Sequence, residues 1–82
     1  MFYTYIIQSE KTKKYYVGYS SNINQRLKKH NNGSNKSTKY GIPWKLMYKE
    51  EFSKKEDAWK REQQIKRYKG GNAFKMLIGE VA

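Results

Sequence analysis

FYTYIIQSEKTKKYYVGYS, residues 2–20, holds two aromatic and β-branched runs either side of a polar link. Phe2 to Gln8 and Tyr15 to Ser20 are rich in side chains that suit a pleated, half-buried surface, so both read as strands, and Ser9 to Lys14 supplies the turn of a hairpin. Alternation puts Tyr3, Tyr5 and Ile7 on one face of the first strand and Phe2, Thr4 and Ile6 on the other. In the second strand, Tyr16 and Gly18 oppose Tyr15, Val17 and Tyr19.

Beyond the hairpin, Ser21 or Asn22 can cap a helix that runs to about Asn31 and stops at Asn32-Gly33, with Ile23 and Leu27 as its short apolar stripe. Gly33 to Pro43 is polar, basic and turn-forming, which predicts a loop. Trp44 to Phe52 alternates as a third strand, with Trp44, Leu46 and Tyr48 expected on one face. Ser53-Lys-Lys-Glu56 has the spacing of a capping box, in which the Ser and Glu side chains satisfy free amides at a helix start. The helix that follows is expected to reach about Lys69 before Gly70-Gly71 breaks it. Asn72 to Ile78 then forms a short terminal helix with Ala73, Phe74, Leu77 and Ile78 as its apolar residues. No repeat or linker interrupts residues 1–82, so one α+β domain is expected.

Composition narrows the function. Eighteen Lys and Arg against seven Asp and Glu give a formal net charge of +11 on 82 residues. Such a field draws polyanions. Nucleic acid fits better than an anionic membrane, because no basic helix with a broad apolar face is present. With no cysteine and one histidine, neither a disulfide framework nor a zinc site of ordinary composition can be assembled. Apolar runs of only a few residues predict no membrane span, and a cytoplasmic location is the simplest reading.

Two groups fit poorly as ordinary surface residues. On the second helix, at about 100° per residue, Glu62 falls about 40° from Ala58 and about 60° from Ile65, within the apolar stripe. A carboxylate there needs a cation, a metal ion or several donors. Spacing alone leaves open a structural ion pair with Arg or Lys and a catalytic or metal-binding duty. On the first helix, Arg26 and His30 are four residues apart, stacked beside Ile23 and Leu27. On spacing alone, Arg26 as a surface residue with His30 at the core boundary is the commoner outcome, and both as site residues is the other.

The ordered motifs resemble those of the GIY-YIG nuclease superfamily, especially its small stand-alone members, which are similar to the amino-terminal catalytic domain of an excinuclease. The first signature is Tyr3-Thr4-Tyr5, with Tyr in place of Gly and Thr in place of Ile; the second is Tyr16-Val17-Gly18, eleven residues from Tyr5 to Tyr16. Gly18-Tyr-Ser-Ser-Asn22 running into Arg26-Leu-Lys-Lys-His-Asn31 resembles the family's Arg- and His-bearing helix. Pro43-Trp-Lys-Leu46 resembles the start of its third strand. Ala58-Trp-Lys-Arg-Glu62 with Ile65-Lys66 resembles the helix that brings a metal-binding Glu.

The resemblance implies a small three-stranded antiparallel sheet flanked by helices, in the order β-β-α-β-α-α, and a metal-dependent endonuclease acting on DNA. It implies Tyr5, Tyr16, Arg26, His30 and Glu62 as catalytic residues, with Glu62 holding one Mg²⁺ or Mn²⁺ ion. Tyr5 is the candidate base or water-orienting group, which would require neighbouring positive charge to lower a phenol that ordinarily titrates near ~10. Lys28, Lys29, Lys36, Ser37, Thr38, Lys39 and Lys66 are expected to hold phosphates outside the reacting one, and Asn72 stands where the family has a late polar residue. Phosphate gripping does not separate DNA from RNA. No membrane partner is expected. The absence of a separate DNA-reading domain suggests a protein partner for targeting, in repair or recombination. A binding or scaffold module that keeps the fold without turnover is the competing reading.

Overall fold

The computed structural model describes residues 1–79; the single-domain expectation for 1–82 extends over three residues outside that range. Its elements run β1 (Phe2–Ser9), β2 (Tyr15–Ser20), α1 (Ile23–Asn31), β3 (Trp44–Phe52), α2 (Lys55–Arg67) and α3 (Asn72–Leu77). The strands form one antiparallel sheet in the order β2-β1-β3, so β1 is central and the most buried. This is the α+β arrangement in the expected element order.

Pairing fixes the two faces. Tyr5 opposes Gly18 and Ile7 opposes Tyr16, while Ile6 opposes Val17. The first face gathers Tyr5, Ile7 and Trp44 with Tyr16, Ile23, Leu27 and Ile42, and α1 covers it. The second gathers Ile6, Val17, Ile65 and Phe74 with Tyr15, Met47, Tyr48 and Tyr68, under α2 and α3. Each aromatic-rich face therefore has its own helical cover, and the sheet is the partition between two small cores.

Two local expectations differ from the structure. Ile6 pairs with Tyr48 but Ile7 pairs with Leu46, so the ladder slips at Met47. Because side chains alternate with period two, one extra residue turns Tyr48 to the face opposite Leu46 and Trp44. Simple alternation places all three together, and the bulge separates them. The α2 start also differs: Lys54 occupies the N-cap with no side-chain hydrogen bond, so Ser53 and Glu56 do not form a capping box. Glu56 and Asp57 in the first turn, and Lys66 and Arg67 in the last, complement the helix dipole instead.

The ends of α1 are pinned. Asn22 caps its start by accepting the Gln25 N–H at 3.0 Å. At its other end, Asn31 accepts the Trp44 N–H at 2.6 Å and donates to the Trp44 carbonyl at 3.1 Å, clamping the helix to the start of β3. The loop between them is anchored by the Trp44 indole, which donates to the Thr38 carbonyl at 2.7 Å. That ring lies against Gly41, where an added Cβ would come within 2.4 Å of it. Thus the 33–43 segment, expected as an open loop, contains one turn of 3-10 helix at Lys39–Gly41 and is tied down through Thr38 and Gly41.

Ile65 is fully buried and attaches α2 to the sheet. Truncation to Ala should lower unfolding stability by about 2–5 kcal/mol through lost burial and a residual cavity, measured by urea unfolding. In so small a domain, that is a large fraction of the total.

Candidate active site

Gly18 lies beside Tyr5 on the central strand, and their approach defines the site. A Cβ at position 18 would fall 2.7 Å from the Tyr5 hydroxyl and 3.2 Å from a Tyr16 ring carbon. Glycine is therefore required by space, and it leaves the hydroxyl at the wall of a cleft. That cleft, about 400 Å³, is lined by Phe2, Tyr5, Tyr16, Gly18, Tyr19, Ser20, Ser21, Arg26, Lys55 and Glu62. It draws on both strands of the hairpin, on α1 through Arg26 and on α2 through Glu62 and Lys55. Two phenols, a guanidinium and a carboxylate separated in the chain thus meet at one depression.

Behind the cleft wall runs a buried hydrogen-bonded chain. The Tyr5 hydroxyl is 2.9 Å from His30 Nε2, and His30 Nδ1 is 2.8 Å from Thr38 Oγ1. Thr38 Oγ1 donates to the Asn35 carbonyl at 3.4 Å. That donation leaves the Thr38 oxygen to accept from Nδ1–H, which makes Nε2 the acceptor for the Tyr5 proton. The Tyr16 ring packs edge-on against the imidazole, with centroids 5.0 Å apart.

Burial, the larger effect, and the nearby Arg26 charge both lower the His30 pKa from its ordinary value, so the ring is neutral. Burial raises the Tyr5 pKa well above 10; the Tyr16 and Glu62 charges act in the same direction, and Arg26 only partly opposes them. The expectation of a lowered phenol is therefore reversed: in the free protein Tyr5 is a protonated donor to a neutral imidazole.

Glu62 is 7% exposed on the stripe formed with the fully buried Ala58 and Ile65, where its periodicity places it. Its Oε2 pairs with Lys66 Nζ at 2.9 Å, one helical turn on. Glu62 thus carries an ion pair, as one sequence reading expected, and it also lines the cleft. Lys66 engages this carboxylate rather than standing free on the surface. Among the described residues no three acidic, His or Cys side chains group as a metal cluster. A lone carboxylate in a polar cleft suits a hard divalent cation that keeps most of its water shell.

The other expected residues scatter. Thr38 is 1% exposed with its hydroxyl committed to His30, so it cannot serve as a surface phosphate donor and is corrected to a buried partner of the imidazole. Lys28, Lys29, Lys36, Ser37 and Lys39 are exposed but outside the cleft lining. Asn72 is exposed at the first position of α3, also outside the lining. Lys55 was missed by sequence reasoning, although helical spacing could have found it: two turns before Glu62, it lies only about 20° away around α2.

The chain is similar to known proteins over most of its length. Residues 1–75 match the family profile of the GIY-YIG catalytic domain. The chain is 40% identical over 76 residues to a UPF0213 protein of Staphylococcus saprophyticus, covering 92% of each. It is 43% identical over 63 residues to one from Staphylococcus epidermidis, covering 76% of this chain and 77% of that one. A solution structure of a UPF0213 protein from Bacillus halodurans is 32% identical with a TM-score of 0.49, over 82% of this chain and 72% of the other. With the profile spanning every cleft-lining residue from Phe2 to Glu62, the chain belongs to the GIY-YIG catalytic-domain family.

Proposed function

We propose that residues 1–82 form one endonuclease domain that hydrolyses nucleic-acid phosphodiesters with a divalent metal, acting on DNA with weak sequence specificity in the cytoplasm, in repair or recombination. The convergence of Tyr5, Tyr16, Arg26 and Glu62 on one cleft carries this reading. In addition, no described helix is long and apolar enough to cross a membrane. A single Mg²⁺ or Mn²⁺ held by Glu62 would neutralise phosphate charge and stabilise the leaving oxygen.

The chain's own groups do the rest. Arg26, exposed at the rim, offers a planar fork to two non-bridging oxygens, and Lys55 adds a second cation. Tyr16 hydrogen bonds to the phosphate or the attacking water. The water gives its proton to Tyr5 Oη as Tyr5 passes its own to His30 Nε2. The new P–O bond forms while the bond to the leaving oxygen breaks, and the leaving group takes a proton from solvent. In this relay the phenol never needs to ionise alone, so its high pKa is no obstacle, and His30 is the final acceptor. Lys28, Lys29, Lys36, Ser37 and Lys39 hold more distant phosphates, which carries no sequence information. A protein partner would then supply targeting.

A non-catalytic binding module is favoured by one observation, the Lys66 ion pair that satisfies Glu62 without a metal. Supercoiled, branched and single-stranded DNA incubated with and without Mg²⁺ or Mn²⁺ separates the readings. Metal-dependent nicking is expected, and Glu62→Ala should abolish it while leaving the fold intact by circular dichroism. Metal-independent binding with no nicking on any substrate would select the module.

Gly18→Ala should reduce cleavage by about 10²-fold or more, since a misplacement of about 1 Å suffices for such a loss. Its added carbon must displace the Tyr5 hydroxyl, and single-turnover kinetics would read the loss. A mutant that cleaves as wild type would show that the Tyr5 position is not critical.

The buried imidazole also predicts a pH response. Because the folded-state pKa of His30 is lowered, its contribution to stability is present above about 6.5 and is lost as pH falls from there toward the folded value. Urea midpoints should therefore decline below pH 6.5, with a shallower decline in His30→Gln. Thr38→Val, which strands Nδ1, should cost about 1–3 kcal/mol, and should lower cleavage by freeing the tautomer.

A further inference from the structure

Trp59 stands on α2 between two cleft side chains. It lies one turn after Lys55 and one turn before Glu62, about 40° and 60° around the helix from them, and Lys66 continues the ridge about 20° away two turns on. The indole is 49% exposed, whereas Trp44 is buried and hydrogen-bonded. The cleft itself has further aromatic walls: Phe2 and Tyr19 line it although the hydrolytic chemistry needs neither ring. Lysines therefore flank a half-exposed indole on the helix that also brings Lys55 and Glu62 to the cleft.

We propose that Trp59 is a stacking platform for an unpaired nucleobase next to the scissile phosphate, with Lys55 engaging the adjacent phosphate. Along the helix axis Trp59 sits about 6 Å from Lys55 and about 4.5 Å from Glu62, spacings on the scale of one nucleotide. Charge complementarity selects the occupant, since a cationic ridge on a +11 chain attracts a polyanion. The flat ring selects its state. Bases inside a duplex have both faces covered by neighbours, so only an unpaired or splayed base can lie on the indole. The substrate is thus a strand unpaired at the cleavage position. This inference rests on the phosphodiesterase reading for its biological meaning, but the stacking contact itself does not.

Binding of a short oligothymidylate and of a long linear duplex, in chelator so that no cleavage occurs, tests it on the whole chain. Oligothymidylate should quench wild-type tryptophan emission, and Trp59→Phe, in which only buried Trp44 emits, should lose most of that quenching. Trp59→Ala should weaken oligothymidylate binding about 5- to 100-fold, the range for removal of one stacked base, with duplex affinity unchanged and Trp59→Phe falling in between. Unchanged oligothymidylate affinity in Trp59→Ala, or equal weakening for both DNAs, overturns the proposal. Urea unfolding of each variant checks that it is folded under the binding conditions. Metal-dependent cleavage measured separately distinguishes the two failures: quenching without nicking refutes the nuclease alone, and nicking without Trp59 dependence refutes the platform alone.

Discussion

The contact of the Tyr5 hydroxyl with the backbone at Gly18 is the constraint on which the site depends. The phenol occupies the volume that any side chain at position 18 would fill, and from there it reaches His30 at 2.9 Å. Sheet pairing alone sets Tyr5 opposite Gly18. The hydrogen bond adds a link from the central strand to the last turn of α1, and through Thr38 to the following loop. A one-residue slip in the hairpin would move Tyr5 to the other face and remove every one of these contacts at once. Register, packing and the buried hydrogen-bonded chain are therefore a single specification.

The opposite side of the cleft is held by different physics. Glu62 faces the cleft because α2 buries Ala58 and Ile65 on the same stripe, and Thr4 fastens the helix further by donating its hydroxyl to the Ala58 carbonyl at 2.7 Å. A carboxylate on a buried stripe is costly in isolation. Lys66 compensates the charge from a half-exposed position, where solvent screening keeps the pair weak and exchangeable. A divalent cation would have to share Glu62 with that ammonium or displace it. The acid is accordingly partnered without being locked.

Legibility in the sequence followed the range of the interactions. Strand and helix identities came from local periodicity, and the three-strand sheet with both helical covers agrees with them. Glu62 was visible as an acid out of place, because burial on a helix is a periodic property. The Met47 slip was not visible, since a bulge depends on how two strands settle against different cores. Nor was the inward turn of Thr38: in sequence it sits among Lys36, Ser37 and Lys39 like any polar loop residue, and only Trp44 packing on Gly41 draws that segment under α1. The direction of the Tyr5 shift was missed for a related reason. Nearby cations are countable in a sequence, whereas the desolvation that outweighs them is created by packing.

For the proposed hydrolysis, a chain with only seven acids and a charge of +11 would handle phosphate in a way that differs from a carboxylate cluster. Several acids would bind a metal firmly in advance, but they would also repel the substrate backbone. Here one carboxylate shares the cleft with Arg26 and Lys55, so the field favours the polyanion first. In the proposed reaction, the phosphate oxygens would then bring the negative charge that a second and third carboxylate would otherwise supply to a hard cation. Metal and substrate affinity are in that case coupled through the ligand itself. The hydrogen-bonded chain buried behind Tyr5 consists of neutral groups, so the proposed proton path would be insulated from the strong field at the rim.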